Sequence, residues 1–174
     1  MKKETAALKE GKRRTMSKTL RDDYVDIVML FERLHRLFLE VLKSEIDRLG
    51  LKDLSNVQAI ILYNVGPFEL TVGEITNRGY YLGSNVSYNL RKMVENNYIV
   101  QKQSPNDKRS TYISLSPKGK KVYAEIESLL EKQAKSLSSN QLSSDGIKTF
   151  LENGRALENF WSHELLHKAR FVSL

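Results

Sequence analysis

The sequence predicts a mainly α-helical fold carrying one small β-hairpin. Apolar residues recur at three- and four-residue steps through most of the chain. Near its middle two short alternating segments, YIVQKQ and STYISL, flank the turn-rich SPNDKR, whose Pro, Asn and Asp mark a hairpin tip. Of the 174 residues, 40% are apolar and 28% charged, a balance that suits a globular protein with its own core.

The first 18 or so residues, MKKETAALKEGKRRTMSK, are polar, basic and without a lasting apolar period, and read as an arm. Tyr24, Ile27, Val28, Phe31, Leu34, Phe38, Val41, Leu42 and Leu49 then keep helical spacing. They predict one amphipathic helix from about 20 to 49, ended by Gly50, with Leu30 and Leu37 widening its apolar surface beyond one stripe. Ser55 offers an N-cap to a short buried helix that Gly66-Pro67 stops. After a strand-like start at FEL, Thr71-Val72-Gly73-Glu74 is a capping box opening a third helix. Residues 83–97 form a fourth, with Ser84 as cap and Val86, Leu90, Met93 and Val94 facing inward.

Beyond the hairpin, Ser116-Pro117 starts a fifth helix, with proline where its missing N–H costs nothing. Val122, Ile126, Leu129, Leu130 and Leu137 carry it to about 138. A Ser/Asn-rich break precedes a last helix marked by Ile147, Phe150, Leu151, Leu157, Trp161 and Leu165. Three short helices followed by a hairpin make a winged helix-turn-helix. The first helix and the C-terminal RFVSL carry more apolar surface than one small lobe can cover, which a symmetric helical dimer interface explains. The helical spacing of Phe160 and Trp161 beside Leu157 makes them core or dimer contacts. The expected division is a basic arm at 1–19, a dimerisation helix at 20–50, a winged helix-turn-helix DNA-binding domain at 51–120 and C-terminal dimerisation helices at 121–174.

Charge supports this division. The net charge is +7, yet residues 1–21 have a surplus of six positive charges and 51–121 a surplus of five, while 22–50 are negative by three and 122–174 by one. Cations gathered in the middle and the arm are the electrostatic footprint of a nucleic-acid binder. The chain has no cysteine, which excludes disulfides, thiol redox sensing and cysteine-held metals. Apolar runs such as Ile27 to Phe31 fall far short of the roughly 20 residues of a membrane span, and no signal peptide is seen, so a cytoplasmic protein is expected.

From Leu70 to Gly119 the chain reads LTVGEITNRG…NVSYNLRKMVENNYIVQKQSPNDKRSTYISLSPKG, and it resembles the MarR family of regulators. The likeness is strongest at Pro105-x-Asp107-x-Arg109 followed by Leu115-Ser116-Pro117-x-Gly119, and in element order it spans about 20–170. More loosely, the chain resembles the LdtR-like subgroup. The resemblance implies a homodimer built on the first, fifth and sixth helices, a recognition helix in the major groove, a wing in the minor groove, and release of DNA by a small, often phenolic, ligand. Between the third and fourth helices, Arg78-Gly79-Tyr80-Tyr81-Leu82-Gly83 departs from the family's short aliphatic turn and leaves the start of the recognition helix open.

Within that frame the candidate DNA contacts are specific. A guanidinium at Arg109 on a projecting loop can enter a narrow minor groove, steadied by Asp107, with Lys108 on a phosphate. Ser84, Asn85, Ser87, Tyr88, Arg91 and Lys92 lie off the apolar stripe of the fourth helix and supply the hydroxyls, amide and cations that read base edges. Arg78 is a further phosphate candidate. His35, mid-helix among apolar neighbours, reads as a packed histidine or as part of an effector pocket.

Two other readings stand beside this one. A winged helix can serve as a protein-interaction module without DNA. His163-Glu164-Leu165-Leu166-His167 spells the zinc-hydrolase signature H-E-x-x-H, but none of the seven residues after it is a His, Asp, Glu or Cys able to complete the metal site. No phosphate loop, nucleophile triad or catalytic carboxylate pair stands out, so neither an enzyme nor a cofactor is expected.

Overall fold

The computed structural model describes residues 19–79, 83–103, 110–140 and 142–171, with side chains at 83–84, 138–140 and 166–171 left aside. The elements are α1 (Leu20–Arg48), α2 (Asn56–Val65), β1 (Leu70–Thr71), α3 (Val72–Gly79), α4 (Gly83–Glu95), β2 (Ile99–Gln103), β3 (Thr111–Leu115), α5 (Pro117–Asn140) and α6 (Ser144–Phe171). This is the winged-helix order read from the sequence, with one addition. The strand-like start before α3 is β1, which pairs antiparallel with β3 (Leu70 opposite Ile113) to give a three-stranded sheet of order β1-β3-β2.

Local chemistry sets the boundaries. Thr19 caps α1 through a box closed by Asp22, and Ser55 caps α2 through one closed by Gln58. At α3, the Thr71 amide donates to Glu74 at 2.7 Å and the Glu74 amide returns to the Thr71 hydroxyl at 3.2 Å. Gly50, at φ +70°, ends α1 while the amides of Gly50 and Leu51 reach back to Asp47 and Ile46. The same device ends α4 at Glu95 rather than 97. Asn97 takes the left-handed position at φ +60°, and Tyr98 N–H donates to the Met93 carbonyl at 2.8 Å. Ser84 lies inside α4 and is not its cap, because the helix already begins at Gly83 and its cap position falls among 80–82, outside the described residues.

The buried core gathers around α2: Leu42 and Ile46 from α1, Leu62 and Val65 from α2, Ile75, Val86, Leu90 and Met93 from the helix-turn-helix, Tyr98 just before β2, Ile113 from β3, and Val122 and Ile126 from α5. The first half of α1 and the described side chains of α6 add nothing to it. These two helices meet through Phe31, whose ring lies 6.1 Å from Phe150 and 6.4 Å from Trp161, and Trp161 Nε1 donates to the Tyr24 hydroxyl at 2.9 Å. Most side chains of the apolar stripe on this half of α1, among them Ile27, Leu30, Leu34, Leu37 and Phe38, are exposed in the single chain, as are Phe150, Phe160 and Leu165 of α6. Among the described residues of the chain, nothing buries them.

A polar node fixes the helix-turn-helix to the root of α5. Asp53 accepts from the Tyr98 hydroxyl at 2.7 Å and from Lys118 Nζ at 2.8 Å, and Lys118 also sits 3.9 Å from the Tyr98 ring centre. Asn96 donates to the Asp53 carbonyl at 2.7 Å. The Lys118 hydrogen bond, followed by that from Tyr98, holds the Asp53 carboxyl below the usual carboxylate range. A group depressed in this way stabilises the fold above its unfolded pKa and loses that contribution as pH falls through the folded value. Asp53→Asn is therefore expected to melt below the parent at pH 7, with the gap closing below about pH 4. Thermal melts at the two pH values check this, and an equal gap at both would assign the loss to packing instead.

Candidate nucleic-acid interface

Helix α4 presents a face built for polar contact. Val86, Leu90 and Met93, spaced by four and three residues, are buried and anchor one side of it. Asn85, Ser87, Tyr88 and Arg91 stand exposed on the other, Tyr88 with 59% of its surface free. Asn89 donates to the Asn85 carbonyl at 2.8 Å, so its amide is spent within the helix. The side chain of Ser84 lies outside the described residues.

The cations around this face differ in their freedom. Lys92 pairs with Glu95 at 2.7 Å, and that hydrogen bond raises its pKa. Arg78 leans back across the helix-turn-helix, donating to the Asn64 carbonyl at 3.3 Å with its guanidinium 5.2 Å from the centre of the Phe68 ring. It braces α3 on the end of α2, a use its place in the sequence did not reveal. Arg91 faces a cleft of about 260 Å³ shared with Ser87, Val72 and Gln101 on the sheet side of α4. A second cleft, of about 410 Å³, borders the opposite flank, and its lining includes Lys43, Lys52 and Lys92, the carboxylates Asp47 and Asp53, and Tyr88 of α4.

Strands β2 and β3 run from Ile99 opposite Leu115 to Gln103 opposite Thr111, with Gln101, Lys102 and Gln103 exposed. Asp107, Lys108 and Arg109, expected at the hairpin tip, lie outside the described residues. The remaining candidates sit elsewhere. His35 is exposed on α1 and not packed as its apolar neighbours suggested, because that half of α1 lies clear of the core. His163 and Glu164 are exposed on α6, the side chain of His167 falls outside the described residues, and among those described no three His, Asp or Glu are grouped to hold a metal. No described helix is long and apolar enough to cross a membrane.

Sequence reasoning missed a joint on the far side of α2. The rings of Tyr63 and Tyr123 stack at 5.4 Å, and the Tyr63 hydroxyl donates to Glu127 at 2.5 Å, which pushes that phenol up to about 12. The pair links α2 to α5 across a separation that no local pattern spans.

Known proteins agree with this architecture. Residues 54–119 match the family model described as a winged helix DNA-binding domain. Over 140 residues, 80% of this chain and 72% of the relative, the sequence is 34% identical to the exopolysaccharide II synthesis transcriptional activator ExpG of Rhizobium meliloti (strain 1021). The fold is similar to that of Staphylococcus aureus MarR in complex with salicylate and kanamycin, at a TM-score of 0.65 and 19% identity, covering 81% of this chain and 93% of that one. It is equally similar to a mutant MarR from E. coli complexed with operator DNA, at a TM-score of 0.65 and 17% identity, covering 80% and 99%.

Proposed function

Because the chain belongs to the MarR family of winged helix-turn-helix transcriptional regulators, we propose that it acts as a cytoplasmic homodimer that reads a pseudo-palindromic operator and releases it when a small aromatic or phenolic ligand binds. The observation that carries the operator reading is α4, whose buried side is locked by Val86, Leu90 and Met93 while Asn85, Ser87, Tyr88 and Arg91 project from a lobe with surplus positive charge. Hydroxyl, amide and guanidinium groups on one helix face match the donors and acceptors that base pairs show in the major groove. Ser84 belongs to the same reading turn.

Two such helices, one per subunit, lie about one duplex turn apart, roughly 34 Å, and so read two half-sites together. Arg109, with Asp107 and Lys108, engages the adjoining minor groove and backbone. Lys92 can exchange Glu95 for phosphate at little cost, since exposed ion pairs are weak, whereas Arg78 would reach phosphate by leaving the Asn64 carbonyl and the Phe68 ring. Neutralised phosphates release counterions, so the affinity falls steeply with salt. A ligand seated between the helical dimer region and the DNA-binding lobe, near His35 of α1, releases the operator only if it prefers a conformation with a different spacing of the two reading helices.

Arg109→Ala tests the proposal. A gel-shift titration on duplex from the chain's own upstream region is expected to show binding weakened roughly 10- to 100-fold with the dimer intact. Unchanged affinity would shift the reading toward a winged helix that binds another protein.

A further inference from the structure

We infer that the cleft between the α1–α2 loop and α4 seats a phosphate of the DNA backbone, with Lys52 as the contacting group. This rests on the proposed entry of α4 into the major groove. The cleft, about 410 Å³ in volume, shares Tyr88 and Lys92 with the reading helix, so one wall of it is α4 itself. A helix with its side chains is about 10–12 Å across and the major groove about 12 Å wide, so a seated helix brings each of its flanks against one sugar–phosphate strand. Whatever lies in the cleft beside α4 therefore meets the strand on that side.

Of the cations lining the cleft, Lys52 is the one that, among the described residues, has no partner inside the protein to give up. Lys43 is paired with Asp47 and Lys92 with Glu95. Asp53, the acid next to Lys52 in sequence, has one oxygen on the Tyr98 hydroxyl at 2.7 Å and the other on Lys118 at 2.8 Å. Although Asp53 also lines the cleft, its charge is matched by Lys118. Asn96, which also lines the cleft, has its amide on the Asp53 carbonyl. Lys52 is exposed and, among the described residues, its ammonium has no ion-pair or hydrogen-bond partner. The other cations lining this cleft are thus paired within the protein, and the loop adds one that is not.

The loop is also held rigidly enough to place that charge. Its path is set by the Gly50 turn at one end, the Ser55 cap at the other and the Asp53 node between them. Such a contact orients the protein on the duplex without reading sequence.

Its signature is the salt dependence of affinity. Duplex binding by the full chain, titrated between 50 and 200 mM salt on both an upstream fragment and a mixed-sequence duplex, is expected to lose about 0.9 from the log–log slope for each Lys52 removed. Lys52→Ala should therefore flatten the slope by about 1.8 on a duplex engaging both subunits, and weaken both duplexes by the same factor. Lys52→Arg should keep the parental slope, and Lys148→Ala, on α6, should match the parent. An unchanged slope in Lys52→Ala overturns the inference while leaving the regulator reading intact, and so does a loss confined to the upstream fragment, which would make Lys52 a base contact. If the parent protein binds neither duplex at 50 mM salt, the reading of α4 fails and this contact with it.

Discussion

Gly119→Ala is expected to cost about 3 kcal/mol or more of folding stability and to lower the melting temperature by roughly 6–12 °C. A Cβ at this position would lie 2.0 Å from the Tyr98 carbonyl oxygen and 3.1 Å from its carbon. Those are backbone atoms, so no rotamer change relieves the clash. Neither side can retreat cheaply. The Tyr98 carbonyl accepts the Ser116 amide at 3.1 Å, and Ser116 Oγ donates to the Asn97 carbonyl at 2.5 Å while accepting from the Gly119 amide at 3.0 Å. Tyr98 is fully buried with its hydroxyl on Asp53. Moving α5 away from β2 would break these bonds and leave buried polar groups unpaired. Gly73→Ala is the control, since the nearest atom to its new Cβ is 3.9 Å away, and it should leave the melting temperature within about 2 °C of the parent. A Gly119→Ala protein that melts equally close to the parent would show that the helix approaches the strand less tightly than described.

That clash explains part of what the sequence made legible and what it did not. Leu115-Ser116-Pro117-x-Gly119 announces a strand followed by a helix, and both are found, but nothing local says that the glycine makes room for the Tyr98 carbonyl just before β2. Patterns confined to one turn were readable: the Thr71–Glu74 box, the Ser55 cap and the proline at the start of α5 all act over three or four residues. The exposed face of α4 was readable too, because Val86, Leu90 and Met93 fix its rotation. Interactions across long separations were not. The partners of Asp53 lie 45 and 65 residues away, and Arg78 finds a carbonyl 14 residues back. The end of α4 was missed because asparagine adopts the left-handed conformation less often than glycine, so Asn97 gave a weaker stop signal than Gly50. On α1 the period was right, and the surplus of apolar surface was legible with it, but periodicity shows which residues seek cover and not which molecule supplies it.

Leu34→Glu with Leu37→Glu is expected to yield a folded monomer whose affinity for a two-half-site duplex falls by about 100- to 10,000-fold. The two leucines are 40% and 63% exposed in the protomer, on a helix that also exposes Ile27, Leu30 and Phe38, while α6 exposes Phe150, Leu151, Phe160 and Leu165 beside an apolar groove of about 620 Å³. Burying each leucine is worth about 1.5–3 kcal/mol, and a glutamate in its place would have to be desolvated against apolar neighbours or shift its pKa. Either outcome opposes association by several kcal/mol. The core that holds the DNA-binding lobe, from Leu42 to Ile126, contains neither position, so far-ultraviolet circular dichroism should be preserved. Once the subunits part, each half-site is bound alone and the effective concentration of the second reading helix is lost. Light scattering on the eluting peak and gel shift on the same sample read the two effects together. A double variant that still elutes as a dimer would place the interface elsewhere, and a monomer that binds as tightly as the parent would remove the need for a paired reading unit.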